Sequence, residues 1–104
     1  MYKLLVLYGP PSDPAHFRDY YVSTHAPLAA TLPGLKACRY SFDLEGAGAP
    51  SPWFCVFEGD FADKAAFEAA LSSDIGKTVT ADVPNYATGG VTLVHYETTE
   101  VSGA

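Results

Sequence analysis

His25 is the side chain in this sequence best suited to moving a proton, because imidazole changes charge near neutral pH. It follows Tyr21 by four residues and stands at the margin of an apolar stripe formed by Phe17, Tyr21, Thr24 and Leu28. The same position also suits a histidine that satisfies backbone loosened by Pro27, or one that packs at the edge of the stripe. Tyr20 is a second candidate, since its hydroxyl and that of Tyr21 could be turned toward the same place, although aromatic residues at helical spacing also build cores. Tyr40, Trp53 and Phe57 fall in strand-like segments, where they form either an aromatic wall for a planar ligand or a packed interface.

Other reactive residues lack the company their chemistry requires. His16 and His95 have no carboxylate or cysteine at metal-ligand spacing, so no metal site is expected. Cys38 and Cys55 have no close-spaced partners and read as two buried thiols. Glycine-rich dinucleotide and phosphate loops and a nucleophile elbow are missing, and Gly89-Gly90 alone is a turn. A net charge of −6 with no basic run disfavours nucleic acid and anionic membranes as partners. The first apolar run, Met1 to Tyr8, is too short to cross a bilayer and lacks a signal-peptide cleavage region, which gives a cytoplasmic location as the expectation.

The elements that must hold these residues can be read in order. One domain over residues 1–104 is expected, and a hydrophobic fraction of 48% supplies the core for it. Tyr2–Tyr8 is a strand closed by Gly9-Pro10-Pro11-Ser12. Asp13 caps a helix that opens with Pro14, and Pro27 predicts a kink or pause beside His25 that could turn the imidazole out of the packed face. Lys36 to Leu44 alternates as a second strand, a Gly/Ala/Pro loop follows, and Trp53 to Phe61 pairs with it as the third. Asp63 caps a further helix, Ser73 or Asp74 caps another turn region, Pro84 stops it, and Val91 to Glu97 is the last strand.

This β-α-β-β-α-β order implies a ferredoxin-like α+β fold, an antiparallel sheet with its helices on one face. The other face should then be polar, yet Leu5 and Leu7, Trp53 and Phe57, Phe54 and Val56, and Leu93 and Val94 put bulky groups on both. A second copy is the simplest cover, with Trp53 or Phe54 expected at the interface and a ligand pocket expected between the two sheets.

Several stretches also resemble the EthD-like family. They are KLLVLY near the start, Phe17-x-x-Tyr20-Tyr21-x-x-x-His25-x-Pro27-Leu28, and Leu32-Pro33-Gly34-Leu35. Ser51-Pro52-Trp53-Phe54, Phe67-x-Ala69-Ala70-Leu71 and Ala87-Thr88-Gly89-Gly90-Val91-Thr92-Leu93-Val94 continue the likeness over nearly the whole chain. The resemblance implies a dimeric α+β barrel and a homodimer. Its relatives handle small lactones, aromatic polyketides or other hydrophobic metabolites without an obligatory cofactor. It also implies that His25 sits over a cleft between the first helix and the sheet. An isomerase, dehydratase, decarboxylase or oxygenase with His25 as acid or base is one expectation. A non-catalytic ligand-binding or accessory homodimer is another, and haem handling with His25 as axial ligand a third.

Overall fold

The computed structural model describes residues 1–103. Four strands form one sheet: β1 (Tyr2–Tyr8), β2 (Ala37–Ser41), β3 (Cys55–Phe61) and β4 (Val91–Glu97). Their order across the sheet is β2-β3-β1-β4, and every neighbouring pair is antiparallel. The expected ferredoxin-like arrangement is therefore present. Because side chains alternate along a strand, Tyr2, Leu4, Val6 and Tyr8 of β1 are buried, as are Cys55, Phe57 and Phe61 of β3. These residues meet Phe17, Tyr21, Phe67 and Ala70 from the helices in one core.

The helices start where the capping residues dictate. Asp13 accepts from the His16 amide (3.0 Å) to open α1 (Pro14–Tyr20), and Asp63 accepts from the Ala66 amide (2.8 Å) to open α3 (Lys64–Ser72). Ser73, rather than Asp74, caps α4 (Asp74–Asp82) by accepting from the Gly76 amide at 3.0 Å. Gly76 is required there, because a Cβ would stand 2.3 Å from the Ala70 carbonyl oxygen where α4 turns back on α3. A single 3-10 turn, Val83–Asn85, follows α4 and contains Pro84.

The first helix departs from expectation at Pro27. It does not pause: a π-helical turn, Tyr21–His25, leads directly into α2 (Ala26–Ala29). A proline ring clashes with the carbonyl four residues back and donates no hydrogen bond. The π turn absorbs both effects, since the Ala26 amide reaches the Tyr21 carbonyl, five residues back, and Ala26 keeps helical angles (φ −62°, ψ −44°). Widening the turn in this way keeps His25 inside, at 3% exposure, instead of turning it out.

Two strands are shorter than their sequence patterns. β2 ends at Ser41, and Phe42 leaves the sheet to pack against Phe17 and beneath the Arg18 guanidinium, which lies 4.8 Å from its ring centre. β3 begins at Cys55, because the Trp53 amide turns to the Ser51 hydroxyl (3.1 Å) instead of the ladder. Phe54, expected at an interface, packs edge-on to Phe17 with ring centres 5.0 Å apart.

The sheet face opposite the helices carries Leu5 and Leu7, opposed in register by Val94 and Thr92 on one side and by Glu58 and Val56 on the other. Toward one end the same face becomes ionic: Lys3 and Arg39 approach Asp60 at 3.0 and 2.7 Å. It is thus apolar only in part. The cavity, moreover, lies on the helix side of the sheet within one chain and not on this face.

Candidate functional site

The cavity, about 250 Å³, is roofed by helices and floored by the sheet. Leu4, Val6 and Tyr8 of β1 and Phe57 of β3 form its floor, while Ala29, Leu32, Val79 and Val83 close it from the helical side. Val91 and Leu93 also line it and are 39% and 49% exposed, so the cavity meets solvent beside β4. The wall is almost wholly aliphatic or aromatic. An apolar cavity of about 150 Å³ is enough to hold benzene, so a substituted aromatic ring fits here.

His25 is the one imidazole in this wall. The π turn delivers it to the sheet side of the helix, between the ring of Tyr21 (centres 5.3 Å apart) and that of Tyr86 (4.6 Å). Its Nδ1 lies 2.9 Å from Asp82 Oδ2. A carboxylate only accepts, so Nδ1 carries the hydrogen and Nε2 holds the lone pair. Nε2 makes no hydrogen bond among the described residues, and it is not sealed from contact as the unpartnered Tyr21 hydroxyl is.

Asp82 is the last residue of α4, where the helix dipole disfavours an anion. Three donors compensate. The Tyr20 hydroxyl and Asn85 Nδ2 (2.9 Å) both donate to Oδ1, and His25 donates to Oδ2. Burial pushes the Asp82 carboxyl up, but these three hydrogen bonds outweigh it and hold the group below the usual carboxylate range. For His25 burial dominates over the attraction of Asp82 and lowers the imidazole below its ordinary value. At neutral pH the pair is therefore a carboxylate and a neutral imidazole, the form that accepts a proton. Tyr20 is raised by its hydrogen bond to Asp82 and stays protonated.

Tyr8, in the cavity floor, carries a second polar group. The Tyr8 hydroxyl lies 2.8 Å from that of Tyr86, and burial raises both phenols, which keeps them neutral.

The sequence candidates are placed unevenly. His25 and Phe57 line the cavity. Tyr20 does not, and reaches His25 only through Asp82. Tyr40 is 40% exposed on the edge strand, its ring 5.3 Å from Tyr21, and neither it nor Trp53 is part of the cavity wall. Asp82, Tyr8 and Tyr86 were missed by sequence reasoning. Asp82 is 57 residues from His25, and only its i+3 spacing to Asn85 hinted that it was anything but a helix-terminal charge.

Comparison with known proteins supplies the family. An uncharacterised 11.0 kDa protein from the thcB-thcC intergenic region of Rhodococcus erythropolis is 34% identical over 94 residues, which span 90% of this chain and 91% of that one. The crystal structure of an EthD family protein from Bacillus halodurans superposes with a TM-score of 0.87 at 29% identity, over 95% of this chain and 99% of that one. Two more distant structures share the fold alone. One is a dimeric ferredoxin-like protein from Thermobifida fusca, with a TM-score of 0.70, 14% identity and coverage of 91% and 88%. The other is SnoaB, a cofactor-independent oxygenase from Streptomyces nogalater, with a TM-score of 0.70, 14% identity and coverage of 99% and 97%. The model of the EthD domain matches residues 9–90, a span that contains both His25 and Asp82, and the chain belongs to the EthD family.

Proposed function

We propose that this protein takes a small, mostly apolar carbonyl compound into the cavity and uses His25 Nε2 to remove a proton from it, with no cofactor. The observation that carries this reading is a buried imidazole in the wall of an apolar chamber, its Nδ1 committed to Asp82 and its Nε2 without a hydrogen-bond partner among the described residues. Burial makes the imidazole a weaker base, and the Asp82 carboxylate offsets part of that cost by stabilising at short range the charge that develops on the ring as the proton is taken. Isomerisation, dehydration and oxygenation of an enolisable compound can each open with this step. The fold likeness to a cofactor-independent oxygenase supports the compatibility of the architecture with such chemistry, while the site residues carry the assignment.

In this reading Tyr20 is a positioning residue for Asp82, and Phe57 forms the floor on which an aromatic ring rests. The chain works as a homodimer through the sheet face bearing Leu5, Leu7, Val56 and Val94; the dimeric state of the Thermobifida protein supports this.

The test is hydrogen exchange at the benzylic carbon of phenylacetone in heavy water, followed by proton NMR. The native protein should accelerate the exchange, and His25→Gln should bind the ketone without accelerating it. Binding with no acceleration by the native protein would overturn the catalytic reading and leave an accessory ligand-binding homodimer.

A further inference from the structure

Three phenols, Tyr8, Tyr21 and Tyr86, are packed on one another beside His25, each at 2% exposure or less. Each hydroxyl brings one hydrogen to donate. Among the described residues one pair meets hydrogen-bond geometry, Tyr8 and Tyr86 at 2.8 Å; the Tyr21 hydroxyl lies close enough to Tyr8 to influence its titration but outside that geometry. The member of the pair that accepts must therefore have a hydrogen left over. If Tyr8 donates to Tyr86, the spare hydrogen is stranded on Tyr86, which does not line the cavity. If Tyr86 donates to Tyr8, the spare hydrogen belongs to Tyr8, the only one of the three in the cavity wall. A buried donor without an acceptor is costly, so a ligand that offers an acceptor oxygen selects the second arrangement.

From this donor surplus we propose that the Tyr8 hydroxyl, backed by Tyr86, donates to an oxygen of the ligand, making Tyr8 the residue that selects carbonyl or phenolate oxygens over hydrocarbon. The inference rests on the cavity reading above and narrows the ligand class: one edge carries an acceptor oxygen for Tyr8, and a neighbouring atom carries the proton that His25 takes. The raised phenol suits this role, because a neutral Tyr8 keeps its hydrogen through the neutral range. Donation to an oxygen that gains negative charge is also stronger than donation to a neutral one, so the same contact favours the enolate over the ketone.

The test compares two probes of matched shape, acetophenone and α-methylstyrene, in which a methylene group replaces the oxygen. Ligand-observed NMR gives their affinities for the native protein and for Tyr8→Phe, Tyr86→Phe and His25→Gln. The native protein should favour the ketone by about fivefold or more, the worth of one hydrogen bond. Tyr8→Phe should abolish the preference and move the infrared carbonyl stretch of bound acetophenone to higher frequency, which a merely structural role would not do. Tyr86→Phe should retain the preference, since the Tyr8 hydrogen stays available, and this holds the test open should Tyr8→Phe fold poorly. His25→Gln should retain it as well, which separates this inference from the proton-transfer reading. Equal affinities in the native protein, a preference that survives Tyr8→Phe, or one lost in Tyr86→Phe would each overturn it.

Discussion

Asp82→Asn tests the link between the carboxylate and the base, and its outcome follows from counting donors. Asp82 Oδ1 takes hydrogen bonds from Tyr20 and Asn85, and Oδ2 takes one from His25. An asparagine has one carbonyl oxygen and one amide nitrogen to set against these three donors. With its oxygen in the Oδ1 place it keeps two bonds, and its amide then faces His25 Nδ1. With the oxygen in the Oδ2 place it keeps the bond from His25 and the Tyr20 hydroxyl can turn to accept from its amide, but Asn85 Nδ2 is left facing another donor. The first orientation leaves no such clash and wins, and His25 can meet it only by moving its own hydrogen to Nε2, the nitrogen proposed to take the proton. The base is thereby lost without loss of the ring. Exchange of phenylacetone should fall by roughly 10²- to 10⁴-fold, the usual contribution of a positioned acid–base group. Ketone binding should change little, and the loss of charge-assisted bonds should lower stability by about 1.5–3 kcal/mol in chemical denaturation. Exchange within about threefold of native, with the hydrogen still on Nδ1 by nitrogen NMR, would refute the tautomer argument.

Three further outcomes follow from the same geometry. Stability should decline on acidification in two stages: His25 is lowered in the fold, so the unfolded chain takes up that proton first and stability falls as pH drops below the ordinary imidazole value of 6.5. Asp82 is also lowered, so its contribution persists down to the ordinary carboxylate value of 3.8 and is lost below it. Urea midpoints across this range should show both stages, and His25→Gln should flatten the upper one; an unchanged upper slope contradicts the assignment. Gly76→Ala should destabilise by about 1–3 kcal/mol or more, because its Cβ would meet the Ala70 carbonyl at 2.3 Å, and a denaturation curve matching native would mean that α4 can move aside. Leu5→Glu should convert the proposed homodimer to a folded monomer in sedimentation, since it would bury an unpaired charge beside Val94; a dimer that persists would place the interface elsewhere.

The fold was legible because local signals agreed with one another. The strand formers of β1 closed by Gly9-Pro10-Pro11-Ser12, the caps Asp13, Asp63 and Ser73, and the turn before Val91 each mark an element end that the structure keeps. Strand ends were less legible, because Phe42 and Trp53 continue the aromatic pattern while their backbones leave the ladder for tertiary contacts. Pro27 was seen to perturb the helix, but whether it breaks the helix or widens one turn depends on what the sheet offers His25 on the inside. His25 was found from its chemistry and from the motif around it. Its partner was not, because a carboxylate on a distant helix announces a partner only once α4 is folded across the sheet. Tyr40 shares a strand face with Phe57 by alternation, yet only the central strand lies under the helices, and the edge strand leaves its tyrosine half in solvent.

The central claim is the state of one side chain, and nitrogen NMR of His25 in the native protein at neutral pH reads it directly. The ring should be neutral with hydrogen on Nδ1, and a bare Nε2 should give a resonance that moves when acetophenone enters the cavity. A ring that is protonated, or that carries its hydrogen on Nε2, would contradict it.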